Sequence, residues 1–354
     1  MNVTYLIGNG FDVNLGLPTK YTDYYKEYLE EIKNIDVSDP KRNAIINFWK
    51  KLEGNEYDKW ADFEMAVAQN MDGDEKSVKA VLSHFTRKFS DYLKRISQSY
   101  NCTDEVAEDF VDFIKNGYIH LQHKDKLLVQ PYRIGTTQEI KVNIASLNYT
   151  DCIEKILKTY KTKHNSLMIS QIKPSSNIVY SAIINKDVLH LHGTLETGNY
   201  VVIGIDSIQQ FENDTLKSNI SAEKYCVKRK VNESAGYIDR EEKFNSLIDS
   251  SNIIYTYGVS FGKTDKARWD KIRNWLCNDN KHILVVYKYD THIADYISSY
   301  VPDMLDFIDE QKMEIMRDIG IDEKDFQKYL NQVFFIDSGD VLHCKFTTSE
   351  LVKS

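Results

Sequence analysis

Glycines and polar residues that could bind a ligand follow four short hydrophobic runs of the sequence. The first run, 3–7, is followed at once by the motif GNGFD and then by GLPT at 16–19. Glycines directly after a first strand let the backbone turn sharply and approach a ligand, and amides at the start of the next helix can bind phosphate. A tight turn that needs positive φ is the competing explanation for these glycines. The residues of this candidate phosphate loop are Gly8, Asn9, Gly10 and Phe11.

Asp12 is the last residue of the GNGFD motif. A carboxylate beside a diphosphate would repel it, because both carry negative charge. We therefore expect Asp12 to accept a hydrogen bond from ribose hydroxyls or to cap the next helix.

The second hydrophobic run, 140–147, ends in the motif SLNYT at 146–150. In open α/β sheets the carboxyl ends of the strands form the edge at which ligands bind. Thr150 is predicted to cap the next helix, with Glu154 in its first turn. Capping does not account for Asn148, which is therefore a candidate ligand-binding residue.

The third run, 188–192, ends in the motif HLHG. His190 and His192 would face the same side of a strand, so that a metal pair must be considered, but no spacing marks a third ligand and we predict no metal site. A histidine at a strand end beside glycine suits proton transfer, since its ordinary pKa lies near neutrality. We assign this role to His192 and predict that His190 is a buried, hydrogen-bonded core residue.

The fourth run, 253–257, is followed by GVSFG at 258–262, which matches the GxSxG pattern of serine hydrolases. Such a hydrolase requires an Asp and then a His after the serine, and only His282, His292 and His343 follow it. None of them has a convincing context, so a serine hydrolase is a minor alternative. In the helices around these motifs, two pairs with a spacing of four are predicted to lie on solvated or packed helix faces: Trp60 with Glu64, and Asp265 with Trp269.

Hydrophobic periodicity predicts the elements that would position these motifs. The segment from about 21 to 125 shows only helical pattern, with the clearest apolar stripe at 78–96. Strands are predicted at 3–7, 140–147, 188–192, 201–205, 253–257, 283–287 and 333–336, and the helices that separate them include 150–161, 264–277 and 304–319. Alternating strands and helices predict an α/β, Rossmann-like, mainly parallel sheet. The domain prediction is a core of 1–20 plus 136–354 and a helical insert at 21–135, with a mobile polar loop at 221–242.

Composition sets broader bounds on the class of protein. The 354 residues carry 45 Lys and Arg against 53 Asp and Glu, a net charge of −8, which disfavours nonspecific binding of nucleic acid. A signal peptide and an 18-residue apolar run are both lacking, so we expect a cytoplasmic protein without a membrane span. The five cysteines are scattered and form no CxxC pair. A disulfide framework or a thiolate zinc site is therefore not expected.

The motifs together resemble the AbiH family of bacterial phage abortive-infection proteins. The resemblance covers most of the chain and includes, in order, GNGFD with GLPT, WADFE, LNYT, HLHG and YGVSFGKTD. It implies a role in antiphage defence, with a phage component as a possible trigger and a homo-oligomeric assembly.

More distantly, the same skeleton is similar to the sirtuin-like NAD-binding fold, and this similarity implies a set of roles. The glycine loop would hold the diphosphate of NAD or a related nucleotide. Asn148 would fix the ribose and the attacking water, and His192 would act as general base. Asp12 would stabilise positive charge that develops on the ribose. Gly258 and Ser260 correspond to a further ligand-binding loop.

Two hypotheses about function follow from the resemblance. The first is an antiphage effector that cleaves NAD or a related nucleotide at its glycosidic bond. The second is a nucleotide-sensing or phage-component-binding module without chemistry, which is favoured by Asp12 and Thr150, since both depart from the sirtuin-like pattern.

Overall fold

The computed structural model describes residues 1–36, 38–39, 41–53, 63–134, 139–172, 179–196, 200–236, 239–289, 301–339 and 341–342. Eight strands form a single sheet in this part of the chain. They are β1 (Asn2–Ile7), β2 (Glu139–Ser146), β3 (Met168–Ile172), β4 (Val179–Ile184), β5 (Leu189–His190), β6 (Ile253–Tyr257), β7 (Ile283–Lys288) and β8 (Val333–Asp337).

The strand order is β3-β4-β2-β1-β6-β7-β8, and β5 pairs with β2 beyond the end of β4. Every pairing among these strands is parallel except the β3–β4 hairpin. The predicted Rossmann-like α/β fold is therefore confirmed. Strands β2 and β6 lie on either side of β1, so the strand order reverses at β1. The carboxyl ends of these three strands therefore enclose the crevice in which such sheets bind ligands.

Fifteen helices are described around this sheet. They are α1 (Gly10–Asn14), α2 (Tyr21–Lys33), α3 (Arg42–Glu53), α4 (Phe63–Asn70), α5 (Glu75–Ser99), α6 (Asp104–Asn116), α7 (His123–Ile134), α8 (Cys152–His164), α9 (Asp214–Lys217), α10 (Ile220–Cys226), α11 (Lys228–Ser234), α12 (Asp239–Ser250), α13 (Lys266–Asn278), α14 (Val301–Asp318) and α15 (Phe326–Tyr329).

The central strand β1 is buried on both faces, as expected for a strand covered by helices on both sides. Tyr5 is fully buried on one face, where its ring stacks on Tyr255 of β6 with 4.7 Å between centroids. Phe113 of α6 packs edge-on against Tyr5. On the other face, Leu6 packs with residues of α12 and α13. This burial fixes the position at which β1 ends and the GNGFD motif begins.

The helices between β1 and β2 contribute to two different hydrophobic cores. Helices α6 and α7 bury side chains against the sheet. Helices α2 to α5 form a second core with apolar side chains from 203–227, including Ile203 and Phe211. We call α2 to α5 together with 203–227 the helical layer. The proposed boundary between insert and core, at 135–136, lies outside the described residues.

Two sequence predictions of local structure are wrong. Residues 201–205 form no strand, because Val202, Ile203 and Ile205 are buried by packing and Ile205 makes only an isolated bridge to Val227. The predicted mobile loop at 221–242 consists largely of helices α10, α11 and α12. Several apolar residues of these helices, including Ala222, Cys226 and Phe244, are buried. Both errors arise because the local sequence does not show which distant segments these residues pack against.

Several other observations bear on the sequence predictions. The cysteines at 102, 152, 226 and 277 are free, and Cys344 lies outside the described residues. No helix of the described residues is long and apolar enough to cross a membrane.

Candidate functional site

A cavity of about 1160 Å³ lies at the carboxyl edge of the sheet. Its walls come from the residues that follow β1, β2, β5 and β6, and from Tyr21, Glu64 and Phe89 of the helical layer. Eight of the nine predicted site residues line it: Gly8, Asn9, Gly10, Asp12, Asn148, His192, Gly258 and Ser260. The cavity therefore collects motifs that are separated by up to 250 positions in the sequence.

Phe11 is the predicted site residue that does not line the cavity. Its ring is fully buried and packs against Phe110 of α6, with 5.2 Å between centroids. Its backbone amide donates to Gly8 O at 2.9 Å. Phe11 therefore anchors the loop to the core.

The glycines at 8 and 10 allow two loops to touch. A Cβ at Gly8 would lie 2.5 Å from Gly258 O, and one at Gly10 would lie 2.5 Å from Gly258 Cα. Gly258 itself has φ +64°, which favours glycine. The amides of Gly8 and Gly10 donate to Tyr257 O and Gly258 O, both at 2.9 Å. The glycine pattern is thus explained by contact between the loops after β1 and β6.

Replacing Gly10 with alanine should destabilise the chain by about 2 kcal/mol, because the new methyl group meets backbone atoms that have little room to move. The G339A variant is the matched control, since the three atoms nearest to its added Cβ would all belong to the Asp337 side chain, at 3.3 Å or more. Urea unfolding of both variants measures the difference. Equal stability of the two variants would contradict the close loop contact.

Asp12 lies in the first turn of α1 and is 1% exposed. Its Oδ1 accepts a hydrogen bond from Asn148 Nδ2 at 3.0 Å, and its Oδ2 accepts one from Thr150 Oγ1 at 2.6 Å. Burial raises the pKa of the Asp12 carboxyl to about 6, although both hydrogen bonds oppose the rise. Asp12 is therefore ionised at pH 7 but close to its titration range.

The prediction that Thr150 caps the helix after β2, α8, is wrong. The residue at the N-cap position is Asp151, which makes no capping hydrogen bond, while the Thr150 hydroxyl donates to Asp12. Local sequence favoured capping, but tertiary contact with the loop after β1 provides a stronger, charged acceptor.

The buried Asp12 gives a testable dependence of stability on pH. The pKa of Asp12 is higher in the folded state than its ordinary value of 3.8, so its contribution favours folding at low pH and is lost as the pH rises through about 6. The shift corresponds to at most about 3 kcal/mol. The contribution of Asp12 should make the free energy of unfolding of the wild-type protein fall between pH 4 and 7. The D12N variant should lack this fall. Parallel pH profiles of the two proteins, from denaturant unfolding, would show that Asp12 is not the responsible group.

Asn148 is 3% exposed, and three of its four polar groups make hydrogen bonds within the protein. Nδ2 donates to Asp12, the backbone N donates to Ser146 Oγ at 3.1 Å, and the backbone O accepts from His190 Nδ1 at 3.0 Å. The side-chain oxygen Oδ1 is buried and has no hydrogen-bond partner. Because a buried unpaired acceptor is costly, this atom is suited to a ligand group that donates a hydrogen bond.

His190 is a buried structural residue, as predicted. Nδ1 donates to Asn148 O, and Nε2 lies 2.6 Å from Glu154 Oε1. Burial alone would lower the pKa of His190, but the hydrogen bond and charge of Glu154 outweigh it and raise the pKa. His190 thereby holds the backbone of Asn148 in place.

His192 is 6% exposed and lines the cavity. Its Nε2 lies 2.9 Å from Asp265 Oδ1 and 2.8 Å from Arg268 Nη1. Burial, assisted by the positive charges of Lys228 and Arg268, lowers the pKa of His192 despite the opposing charge of Asp265. His192 is therefore neutral at pH 7, the state in which a histidine can accept a proton.

Behind His192 lies a buried cluster of charged residues that sequence reasoning did not assign to the site. Lys228 Nζ lies 2.7 Å from Glu64 Oε2 and 3.1 Å from Asp265 Oδ1. Arg268 contacts Asp265 through Nη1 and donates to Glu241 Oε1 from Nη2 at 2.7 Å. Two members, Glu64 and Asp265, also line the cavity. The cluster connects the helical layer to the edge of the sheet.

Of the two predicted alternatives for Glu64 and Asp265, a solvated or a packed face, the structure has the packed one, and both residues belong to the buried cluster. Glu64 is 6% exposed, and its Oε1 accepts from the Gly204 amide at 3.1 Å. Asp265 is 9% exposed, and Trp269 is buried beside it. Both acids occur in the motifs WADFE and FGKTD, which could have indicated them, whereas Lys228 stands in a run of three basic residues that looks solvent-exposed. Trp60 lies outside the described residues.

Ser260 is exposed at the cavity wall and makes no hydrogen bond to the described residues. Of the histidines that could complete a triad, His282 bonds Trp275 O at 2.6 Å through Nδ1, and His292 and His343 lie outside the described residues. In the part of the chain covered by the structure, no group of three His, Cys, Asp or Glu side chains could hold a metal ion. The polar side chains that the predicted motifs bring to the cavity include those of Asp12, Asn148 and His192, and the charged cluster lies beside them.

The fold and site define a Rossmann-like α/β protein whose candidate site lies at the point where the strand order reverses, covered by a helical layer. The family model for bacteriophage abortive infection AbiH matches residues 4–287, which is well over half of the chain. This chain belongs to the AbiH family, and membership implies a role in abortive infection as a defence against phage. No curated protein matches the chain significantly.

Proposed function

We propose that this chain is an antiphage effector that binds NAD or a related nucleotide in the cavity and cleaves its glycosidic bond. The observation that carries the proposal is the convergence of Asn148, Asp12 and His192 on one cavity at the carboxyl edge of the sheet. These three residues come from loops after three different parallel strands, where α/β enzymes assemble their active sites.

The chemistry of the cavity wall supports a nucleotide ligand. The unpaired Asn148 Oδ1 can accept a hydrogen bond from a ribose hydroxyl. The carboxylates of Asp12, Glu64 and Asp265 all line the cavity, and the nicotinamide ring of NAD carries a positive charge. Negative groups close to the bond that breaks would also stabilise the oxocarbenium-like charge on the ribose.

Each catalytic role follows from the state of the side chain. His192 is neutral and can accept a proton from a water that attacks the ribose. Asp12 is ionised above pH 6 and lies beside Asn148, so it can stabilise the developing positive charge. Asn148 would orient the sugar through Oδ1 while its Nδ2 keeps Asp12 fixed.

A second candidate function is nucleotide sensing without chemistry. One observation favours it: the amides of Gly8, Gly10 and Phe11 donate to backbone carbonyls of the protein. These amides are thus engaged, and a diphosphate would have to be held by other groups, such as the exposed Lys20 at the cavity rim. Weak phosphate binding would reduce the rate of cleavage while allowing recognition of the sugar.

The experiment that separates the two functions is incubation of the purified full chain with NAD, with and without a lysate of phage-infected cells. Mass spectrometry measures NAD, nicotinamide and ADP-ribose. If the chain cleaves NAD, nicotinamide and ADP-ribose should form in equal amounts in at least one of the two conditions. Unchanged NAD in both conditions, together with calorimetric binding of NAD, would establish the sensing function instead.

A further inference from the structure

The His192 ring is held through one nitrogen. Nε2 lies close to Asp265 Oδ1 and Arg268 Nη1, whereas Nδ1 makes no hydrogen bond within the described residues. The ring lines the cavity and is tilted against that of Tyr149, with 6.0 Å between centroids. Nδ1 is therefore the nitrogen available to a ligand or to a water molecule in the cavity.

The surroundings of Nε2 indicate where the proton of neutral His192 resides. Burial would raise the pKa of the Asp265 carboxyl, but the charges of Lys228 and Arg268 and the hydrogen bond with His192 outweigh it and hold the pKa well below its usual range. Asp265 is thus an anion, and its Oδ1 lies 2.9 Å from Nε2. If Nε2 carried no proton, the lone pair of this nitrogen would point at the carboxylate and repel it. A proton on Nε2 replaces this repulsion with a charge-assisted hydrogen bond.

Arg268 does not require Nε2 as an acceptor. Its Nη1 contacts Asp265 Oδ1, and its Nη2 donates to Glu241 Oε1 at 2.7 Å. Both terminal nitrogens therefore have a carboxylate partner, and carboxylates are stronger acceptors than a neutral imidazole. Arg268 therefore does not oblige Nε2 to act as an acceptor, which leaves Asp265 Oδ1 as the partner for a proton on Nε2.

Asp265 is itself fixed by the helical layer. Lys228 Nζ bridges Asp265 Oδ1 at 3.1 Å and Glu64 Oε2 at 2.7 Å, and it also donates to Thr264 O at 3.1 Å. Lys228 is 2% exposed, so this bridge is shielded from water and competing ions. The carboxylate oxygen next to His192 consequently has little freedom to rotate away.

We propose that Asp265 is the positioning residue of the hydrolytic step: it holds the proton of neutral His192 on Nε2, so that Nδ1 accepts a proton from the attacking water. The inference rests on the proposed function.

The water oxygen bonds to the ribose carbon C1′ as the bond from C1′ to the nicotinamide nitrogen breaks, and the electron pair of that bond leaves with nicotinamide. One water proton moves to Nδ1 and is later released to solvent, so that NAD and water give ADP-ribose, nicotinamide and a proton.

Nitrogen-15 NMR of the full chain labelled at histidine tests the inference without relying on activity. Long-range couplings to the ring protons identify which nitrogen carries the proton, and the H192Q spectrum assigns the signals of His192. At pH 7.5 we expect neutral His192 with its proton on Nε2 in the wild-type protein. A proton on Nδ1 in the wild-type protein would overturn the inference.

The D265N variant tests the role of the carboxylate charge. Asparagine keeps the shape but removes the charge, so Arg268 can donate to Nε2 and the proton of His192 should move to Nδ1. NAD cleavage should then fall about 100-fold in kcat with a smaller change in KM. The matched control is D270N on α13, the helix that follows Asp265, where Asp270 pairs with Lys266 and Arg273 at the surface. D270N should leave both the proton position and kcat unchanged.

The outcomes distinguish this inference from the proposed function. A wild-type chain that carries the proton on Nε2 but leaves NAD intact contradicts the proposed function. A chain that cleaves NAD with the proton on Nδ1 contradicts the inference alone. If D265N does not fold, the wild-type spectrum still decides the inference.

Discussion

Replacing Asn148 with alanine is expected to reduce NAD cleavage by about 10²- to 10³-fold, the usual cost of losing one preorganised polar group at a reacting centre. The substitution removes the unpaired Oδ1 and also removes the hydrogen bond from Nδ2 to Asp12. Without that bond, the carboxyl of Asp12 becomes easier to protonate, because the bond favours its ionised form. The rate of nicotinamide release under saturating NAD measures the effect.

The N143A variant is the matched control for this experiment. Asn143 lies on β2, the strand that leads to Asn148, but it does not line the cavity. Its side chain interacts weakly with Asn185, at 3.4 Å. We expect N143A to retain wild-type turnover. A loss of the same size in N143A would assign the effect to the strand as a whole and contradict a specific role of Asn148.

Replacing Lys228 with methionine is expected to lower the free energy of unfolding by about 3–5 kcal/mol, the range for removing one partner of a buried ion pair. Lys228 interacts with both Glu64 and Asp265, and all three residues are buried. Burial alone would lower the pKa of Lys228, but the two carboxylates outweigh it and raise the pKa, so the lysine is charged at neutral pH. Its loss leaves negative charge in the interior.

Two further variants make the Lys228 prediction specific. K230M, on the same helix, changes a lysine whose side chain is 47% exposed and pairs with Glu233, so it should cost less than about 1 kcal/mol. The double variant E64Q K228M removes a charge of each sign and should recover part of the loss, because neighbouring charges are energetically coupled. Denaturant unfolding measures all three. A K228M protein as stable as K230M would show that the buried cluster contributes nothing to folding.

The sequence predicted the part of the fold that depends on short-range patterns. The strands at 3–7 and 253–257 are continuous apolar runs, and the structure has them at β1 and β6 almost residue for residue. Glycine and polar motifs directly after such strands mark the carboxyl edge, because parallel strands all end on the same side of a sheet. For this reason Gly8, Asn148 and His192 could be assigned to one site before their distances were known.

The charged cluster could not be predicted in the same way. Its members come from α4, α11, α12, α13 and the turn before α13, and the Glu64 contact with Gly204 spans 140 residues of sequence. Lys228 is followed by Arg229 and Lys230, a pattern typical of a solvated surface. Only the packing of α11 between the helical layer and the sheet shows that Lys228 is inside.

By itself, the sequence indicated the family, the parallel α/β sheet and eight of the residues that line the cavity, because these follow from periodicity and from motifs at strand ends. The tertiary structure decided what those residues do to one another. In the structure the glycines allow two loops to touch, Thr150 donates a hydrogen bond to Asp12 instead of capping a helix, and Asp265 lies next to His192. The physical reason is that burial and pairing of polar groups depend on distances between segments, which no local pattern encodes.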